Sequence, residues 1–111
     1  MNGDQQIVEP PKAITRQDRK TGPCELCGRP GQALTFHHLI PRHCHRKKRF
    51  RGRFSIREMR SRGLWICRLC HDGIHDLIPD EKDLGWNYPT REQLLAHEGV
   101  RKHVEWVRKQ K

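Results

Sequence analysis

The chain has 111 residues, of which 33% are hydrophobic, and its mean hydropathy of −0.98 leaves few apolar side chains for a core. This length predicts one domain with tails, and small domains with thin cores commonly depend on a metal or on disulfides. No apolar run is long enough to cross a membrane, and residues 1–10 show no signal-peptide pattern. We therefore expect a cytoplasmic protein without a membrane partner.

Lys and Arg number 23 against 13 Asp and Glu, which gives a formal net charge of +10. Such an excess favours a polyanionic partner, because every phosphate that a basic side chain neutralises releases counterions. The same charge also fits a role in solubility alone. It narrows the class of partner and indicates no reaction.

The sequence divides into three predicted segments. Residues 1–21 are polar, lack apolar periodicity and are predicted to be a flexible basic tail, with the ordered unit beginning at Pro23. Residues 22–79 are predicted to form the domain. Residues 80–111 are predicted to be a loop followed by a helical C-terminal extension.

Short apolar segments predict the strands of the domain. Residues 32–37 and 64–67 are each bounded by Gly or Pro and are predicted strands. Between them, Ser55 and Glu58 form a capping-box pattern that predicts a short helix over residues 56–62.

Helices are predicted after the second strand. Residues 68–77 are a predicted helix that ends before Pro79, and residues 80–89 are a predicted loop. Thr90 begins a second capping-box pattern, which opens a helical stretch that we expect Gly99 to break into two pieces.

The most informative feature is a pair of C-x2-C motifs with 39 residues between them, formed by Cys24, Cys27, Cys67 and Cys70. Each motif places two sulfurs on one tight turn, the spacing needed for two corners of a zinc tetrahedron. We expect a closed structural Zn2+ site whose binding energy contributes to folding. Disulfides are the alternative, which the spacing and a reducing compartment disfavour. Cys44 is left over as a spare thiol, with metal ligation as the weaker alternative.

Histidines suggest a second, more open metal site. His71 and His75 are four residues apart on the predicted helix and so share one face, and His37 at the end of the first strand can supply a third imidazole. In a regular strand His38 points away from His37, whereas a turn before Pro41 can bring it beside the metal as a base. The alternative is that these histidines only support the zinc site or pack in the core.

The densest charge lies between the predicted strands. Residues 46–62 hold nine Lys or Arg and one acid, Glu58. Phe50 and Phe54 alternate with the arginines, which favours a nucleic-acid-contacting insertion over a solvated face. The candidate nucleic-acid-binding residues are Arg46, Lys47, Lys48, Arg49, Arg51 and Arg53.

Two motifs carry a family resemblance. Phe36-His-His-Leu-Ile-Pro41 together with Cys67-Arg-Leu-Cys-His-Asp-Gly-Ile-His75 resembles the HNH endonucleases, the ββα-metal nucleases, in their four-cysteine zinc form. The resemblance covers residues 24–77, and the basic insertion and C-terminal stretch look similar to small bacterial stand-alone HNH proteins. It implies a small α+β fold with a zinc-stapled, treble-clef-like ββα-metal core.

The resemblance also implies roles for the histidines. By motif match, His38 takes the general-base position, His37 the preceding metal-ligand position, and His71 and His75 the ligand positions on the helix. The chain departs from the family at its middle Asn, since Arg62 or Gly63 stands near that place.

The implied function is a metal-dependent endonuclease that hydrolyses phosphodiester bonds in DNA with one catalytic divalent cation, Mn2+, Mg2+, Ni2+ or Zn2+. RNA is the alternative substrate, and small HNH units often serve larger restriction or phage machinery. A rival hypothesis is a non-catalytic treble-clef zinc module that binds DNA or RNA, which needs only the cysteines and the basic insertion. A protein-interaction zinc finger is a third hypothesis, which the charge disfavours.

Overall fold

The structure, a computed structural model, describes residues 20–110. Its sheet has three antiparallel strands in the order β1-β2-β3, namely β1 (Lys20–Gly22), β2 (Gln32–His38) and β3 (Gly63–Cys67). Strands β2 and β3 agree with the predicted strands to within one residue. The sheet begins at Lys20, before the expected start of the ordered unit, because residues 20–22 pair with β2. Residues 1–19 of the predicted tail lie outside the described residues.

Residues 20–110 also form six α-helices and one 3₁₀ helix. These are the 3₁₀ helix Arg42–Arg46, α1 (Lys48–Arg51), α2 (Ile56–Ser61), α3 (Arg68–Leu77), α4 (Glu81–Asn87), α5 (Arg91–Ala96) and α6 (Glu98–Arg108). The 3₁₀ helix, α1 and α2 lie in the connection from β2 to β3, and α3 follows β3 directly. The chain is therefore a small α+β protein. None of the helices in this part of the chain has the length and apolarity needed to cross a lipid bilayer.

Local capping explains where several helices begin. The Ser55 side chain accepts a hydrogen bond from the Glu58 backbone N–H at 3.0 Å, and the Glu58 carboxylate accepts one from the Ser55 N–H at 3.1 Å, so the predicted capping box is confirmed. One prediction was wrong and another was correct only in part. The predicted loop 80–89 contains α4, because the Asp80 side chain caps it by accepting from the Lys82 N–H at 3.0 Å. The C-terminal stretch divides into two helices as predicted, but at His97 instead of Gly99, because Nδ1 of His97 caps α6 by accepting from the Val100 N–H.

The apolar side chains form two clusters. The larger cluster joins the cysteines, the sheet and helices α3, α5 and α6, and the smaller consists of Ile40, Cys44, Phe50, Phe54 and Met59 with Trp86 against it. Phe50 and Phe54 are only 1% and 7% exposed. The insertion therefore folds around a small core of its own, and its contact with nucleic acid stays a prediction. Burying one such side chain stabilises a protein by about 1.5–3 kcal/mol.

Gly63 provides a test of packing beside His38. It pairs with His38 across β2 and β3, and a Cβ atom built at Gly63 would overlap the ring of Phe36. We expect Gly63→Ala to lower the free energy of unfolding by about 1–3 kcal/mol, since overpacking forces neighbours to move. Denaturant unfolding measures this. Gly52→Ala is the matched control, because its Cβ would meet only ordinary contacts, the nearest at 3.5 Å from the Lys48 carbonyl. Equal losses in both variants would contradict the argument.

Candidate metal and nucleic-acid sites

The structure brings the four predicted zinc ligands together. Cys24 and Cys27 lie on the turn between β1 and β2, and Cys67 and Cys70 lie at the junction of β3 and α3. All four are buried, and their sulfurs lie within 4.8 Å of one another. The Sγ atoms of Cys27 and Cys67 are 3.8 Å apart, which is the sulfur–sulfur edge of a zinc tetrahedron with bonds of about 2.3 Å. The four-cysteine cluster can therefore hold a structural zinc ion.

Hydrogen bonds around the four-cysteine cluster favour a thiolate at Cys24, whereas burial raises the pKa of Cys27 and the hydrogen bond to Cys24 raises the pKa of Cys70. The Cys24 sulfur accepts from the backbone N–H groups of Leu26, Cys27 and Cys67, each at 3.4 Å. The Cys70 thiol and these N–H groups lower the pKa of Cys24 against the opposing effect of burial. The Arg29 guanidinium donates to the Cys67 sulfur at 3.4 Å and brings a positive charge to the cluster. These donors offset part of the negative charge that four thiolates would place in a buried site.

Cys44 lies apart from this cluster. It is fully buried in the smaller apolar cluster, and its sulfur lies 3.7 Å from the Glu81 carbonyl oxygen, to which it donates. Burial raises the pKa of the Cys44 thiol. Among residues 20–110, Cys44 belongs to no group of three or more side chains placed to hold a metal ion, which disfavours the alternative of Cys44 as a ligand.

A second group of metal-binding side chains is formed by His37 on β2 with His71 and His75 on α3. One ring nitrogen from each lies within 4.8 Å of the others, and the ring centroids are 5.0–5.5 Å apart. We call this group the three-histidine cluster. Helical spacing puts His71 and His75 one turn apart, and the pairing of β2 with β3, which leads into α3, brings His37 against them.

His37 is the unusual member of the three-histidine cluster. It is 1% exposed, and neither ring nitrogen has a hydrogen-bond partner among residues 20–110. Burial, and then the charges of His71, His75 and His38, lower the pKa of His37 to about 3. Burying an imidazole without partners is costly, and a neutral imidazole has a lone pair to donate. A divalent metal bound together by His37, His71 and His75 would accept the lone pair of one His37 nitrogen.

Thr35 orients one of the other rings. Its hydroxyl oxygen lies 2.7 Å from Nδ1 of His71 and 3.3 Å from the Ile66 carbonyl oxygen. When the hydroxyl donates to the carbonyl, it accepts from the Nδ1–H of His71. Nε2 of His71 then carries the lone pair, as a metal ligand requires. Thr35 was not among the predicted site residues. Its position two residues before His37, on the same face of the strand, is the signal that could have identified it.

His38 lies on the opposite face of β2. Its ring packs edge-on against Phe36 at 4.9 Å, whereas His37 contacts the α3 histidines, so β2 is regular through His38. His38 borders a cavity of about 310 Å³ whose other lining residues are Arg42, His45, Arg46, Ile56 and Arg60. Burial, and then His45 and Arg42, lower the pKa of His38 and favour its neutral form.

Only one of the six candidate nucleic-acid-binding residues, Arg46, borders this cavity. The guanidinium carbons of Arg49 and Arg53 lie 4.1 and 4.5 Å from the centre of the Trp86 ring, where cation–π attraction holds them. Arg53 also donates to the Trp86 carbonyl at 2.8 Å. Lys47 is half-buried, and Lys48 and Arg51 are exposed on the same insertion. The lining residues Arg42, His45 and Arg60 were not among the predicted site residues.

The fold and the four-cysteine cluster define a small α+β protein with a site for structural zinc. The chain is 34% identical over 89 residues to the Bacillus subtilis (strain 168) protein named "Uncharacterized protein YisB", and the match spans 80% of this chain and 76% of that protein. At this identity and coverage the chain belongs to the same family as YisB. No protein-family model and no solved structure matches the chain.

Proposed function

We propose that the protein is a metal-dependent endonuclease of the HNH, or ββα-metal, type that hydrolyses phosphodiester bonds in DNA. The observation that carries the proposal is the buried ring of His37, whose nitrogens lack hydrogen-bond partners and one of which lies within 4.8 Å of ring nitrogens of His71 and His75. Further support comes from the chain order β2, β3, α3, which matches the ββα order that the HNH resemblance implies. The four-cysteine cluster, with two members where β3 meets α3, fits the zinc form of that family.

In this proposal His37, His71 and His75 hold the catalytic divalent cation. Such a cation, when bound, polarises the scissile phosphate and stabilises the charge on the leaving oxygen. Three imidazoles suit Zn2+, Ni2+ or Mn2+ better than Mg2+. A hydrogen bond from Nδ1–H of His71 to the Thr35 hydroxyl oxygen would leave Nε2 of His71 free to bind it.

His38 is the proposed general base by motif match. It lies on the face of β2 opposite the three-histidine cluster, without the turn that would bring it beside the metal, so in this proposal the scissile phosphate lies at the end of β2, within reach of both faces. The neutral imidazole of His38 takes a proton from the attacking water, a role that needs a pKa at or below the working pH. The segment after His38 is held in place by His45, whose Nε2–H donates to the Ile40 carbonyl at 2.8 Å. In the HNH family the middle Asn orients the loop that carries the base. In this chain, which lacks that Asn, the hydrogen bond from His45 would hold the backbone next to His38 in place.

Metal content tests the proposed cation site. We expect one tightly bound zinc ion and a second, weaker divalent site per chain, measured by elemental analysis and by titration with Mn2+ or Ni2+. His75→Ala is expected to abolish the weaker site and to keep the zinc, because a three-nitrogen face loses one of its ligands. His43→Ala is the control, since His43 is exposed and pairs with Glu81 instead. A single metal per chain that is indifferent to His75→Ala would contradict the proposal.

Plasmid cleavage tests the activity. Purified protein is expected to nick or linearise a supercoiled plasmid when Mn2+, Mg2+, Ni2+ or Zn2+ is added, and to leave it intact when no divalent ion is added. His75→Ala protein is expected to leave the plasmid intact with every ion.

The alternative is a non-catalytic, zinc-stabilised treble-clef module that binds DNA or RNA. It needs only the four-cysteine cluster and the basic surface, and the absence of the family's middle Asn favours it. Salt-sensitive DNA binding without cleavage under any of the four metals would establish this alternative.

A further inference from the structure

The cavity beside His38, which we call the arginine cavity, concentrates positive charge. Arg42 and Arg46 come from the 3₁₀ helix and Arg60 from α2, and with His38, His45 and Ile56 they form its lining, which contains no carboxylate. In the part of the chain that the structure describes, the ion pairs within 4.0 Å involve other residues, so all three arginines lack an acidic partner. Arg62, by contrast, pairs with Glu58 at 3.0 Å.

Three unpaired guanidinium groups around one concave space repel one another. Their field is focused by the protein walls, and an anion that enters the cavity relieves the repulsion and can accept charge-assisted hydrogen bonds. Arginine suits this purpose, because its planar fork matches the oxygens of a phosphate group. The chemistry of the lining therefore selects an oxyanion.

The scaffold of the arginine cavity is rigid. His45 is 8% exposed and is fixed by its hydrogen bond to the Ile40 carbonyl. Phe50 and Met59, exposed by 1% and 0%, anchor the connection between β2 and β3 in the smaller apolar cluster. The capping box of Ser55 and Glu58 sets the start of α2 and hence the position of Arg60. A preformed set of donors loses little entropy when it binds a ligand.

We propose that the arginine cavity binds a phosphodiester group of a nucleic-acid backbone through Arg42, Arg46 and Arg60. The cavity volume of about 310 Å³ has room for a phosphate with part of its sugar, and Ile56, 44% exposed, offers the sugar an apolar contact. Exposed Lys48 and Arg51 continue the positive charge along the same insertion, which favours an extended polyanion over a small free one. The inference rests on the proposed function for its substrate class. It does not assign phosphate binding to Arg49 and Arg53, because these two side chains stack on Trp86.

Helix α2 offers a matched pair of variants. Arg60 borders the cavity, and Arg57 lies on the same helix, is exposed and does not border it. Binding of a short fluorescein-labelled DNA duplex is measured by anisotropy without added divalent metal, over a series of salt concentrations. Arg60→Gln is expected to weaken binding about tenfold and to reduce the salt slope by about one, while Arg57→Gln changes affinity by no more than about twofold. Circular dichroism checks that both variants remain folded.

Equal effects of Arg57→Gln and Arg60→Gln would overturn the inference, because binding would then follow net charge alone. Titration with inorganic phosphate tests whether the arginine cavity binds free phosphate instead of a nucleic-acid phosphodiester. If inorganic phosphate binds wild-type protein and not Arg60→Gln, while duplex affinity is the same in both, the cavity is a free-anion site and the inference fails. The proposed nuclease fails separately: no cleavage with any metal, together with selective loss of binding in Arg60→Gln, would reject the enzyme and support the cavity.

Discussion

Cys70→Ser protein is expected to be largely unfolded at room temperature, whereas Cys44→Ala protein is expected to fold and to bind zinc. Both cysteines are 0% exposed, but only Cys70 belongs to the four-cysteine cluster. The comparison therefore separates the loss of a zinc ligand from the loss of a buried sulfur.

The expected effect is large because the zinc site joins distant parts of the chain. The four-cysteine cluster links the turn before β2 to the junction of β3 and α3, and it lies within the larger apolar cluster. Structural zinc binding contributes about 10–16 kcal/mol in zinc-finger peptides, whereas a whole domain is commonly stable by only about 5–15 kcal/mol. Losing one of four ligands is enough to remove most of the folding free energy.

Far-UV circular dichroism and zinc content, measured on the same samples, check this prediction. Chelation of zinc from wild-type protein is expected to cause the same loss of helical signal, and readdition of Zn2+ to restore it. A Cys70→Ser protein with wild-type helicity and an unchanged unfolding midpoint would show that the four-cysteine cluster does not stabilise the fold.

His38→Ala is expected to reduce plasmid cleavage by at least about 10²-fold while DNA binding and metal content stay unchanged. A positioned general base contributes about 10²–10⁴-fold to a reaction. In the proposed reaction the proton acceptor for the attacking water is lost with His38.

Three measurements on the same preparation make this result interpretable. Initial cleavage rates give the loss of activity, duplex anisotropy shows that the arginine cavity still binds, and Mn2+ titration shows that the three-histidine cluster is intact. Because His38 and His37 lie on opposite faces of β2, the substitution leaves the His37 contacts in place. If His38→Ala protein cuts as fast as wild type, the assignment of the base is wrong.

Local sequence signals located most of the elements around the candidate sites. Strands β2 and β3 and helix α3 have short apolar patterns with clear Gly or Pro boundaries, and α2 has a capping box, so local energetics specify them. Strand β1 has only three residues and no apolar pattern of its own, and it exists because β2 offers its edge for pairing. Helix α4 was missed because Pro79 and Pro89 suggested a loop, although Asp80 supplies an ordinary helix cap.

The sequence by itself indicated the members of both candidate metal sites. Paired C-x2-C turns and imidazoles four apart on a helix have their local geometry set by a few neighbouring residues, and the pairing of β2 with β3 then brings the distant members together. The roles of Thr35, Arg60 and Trp86 depended on the tertiary structure. Thr35 meets His71 across 36 positions of sequence, and Trp86 lies 33 positions from Arg53. Such contacts depend on how β2, α2, α3 and α4 pack, and local sequence propensities do not specify that packing.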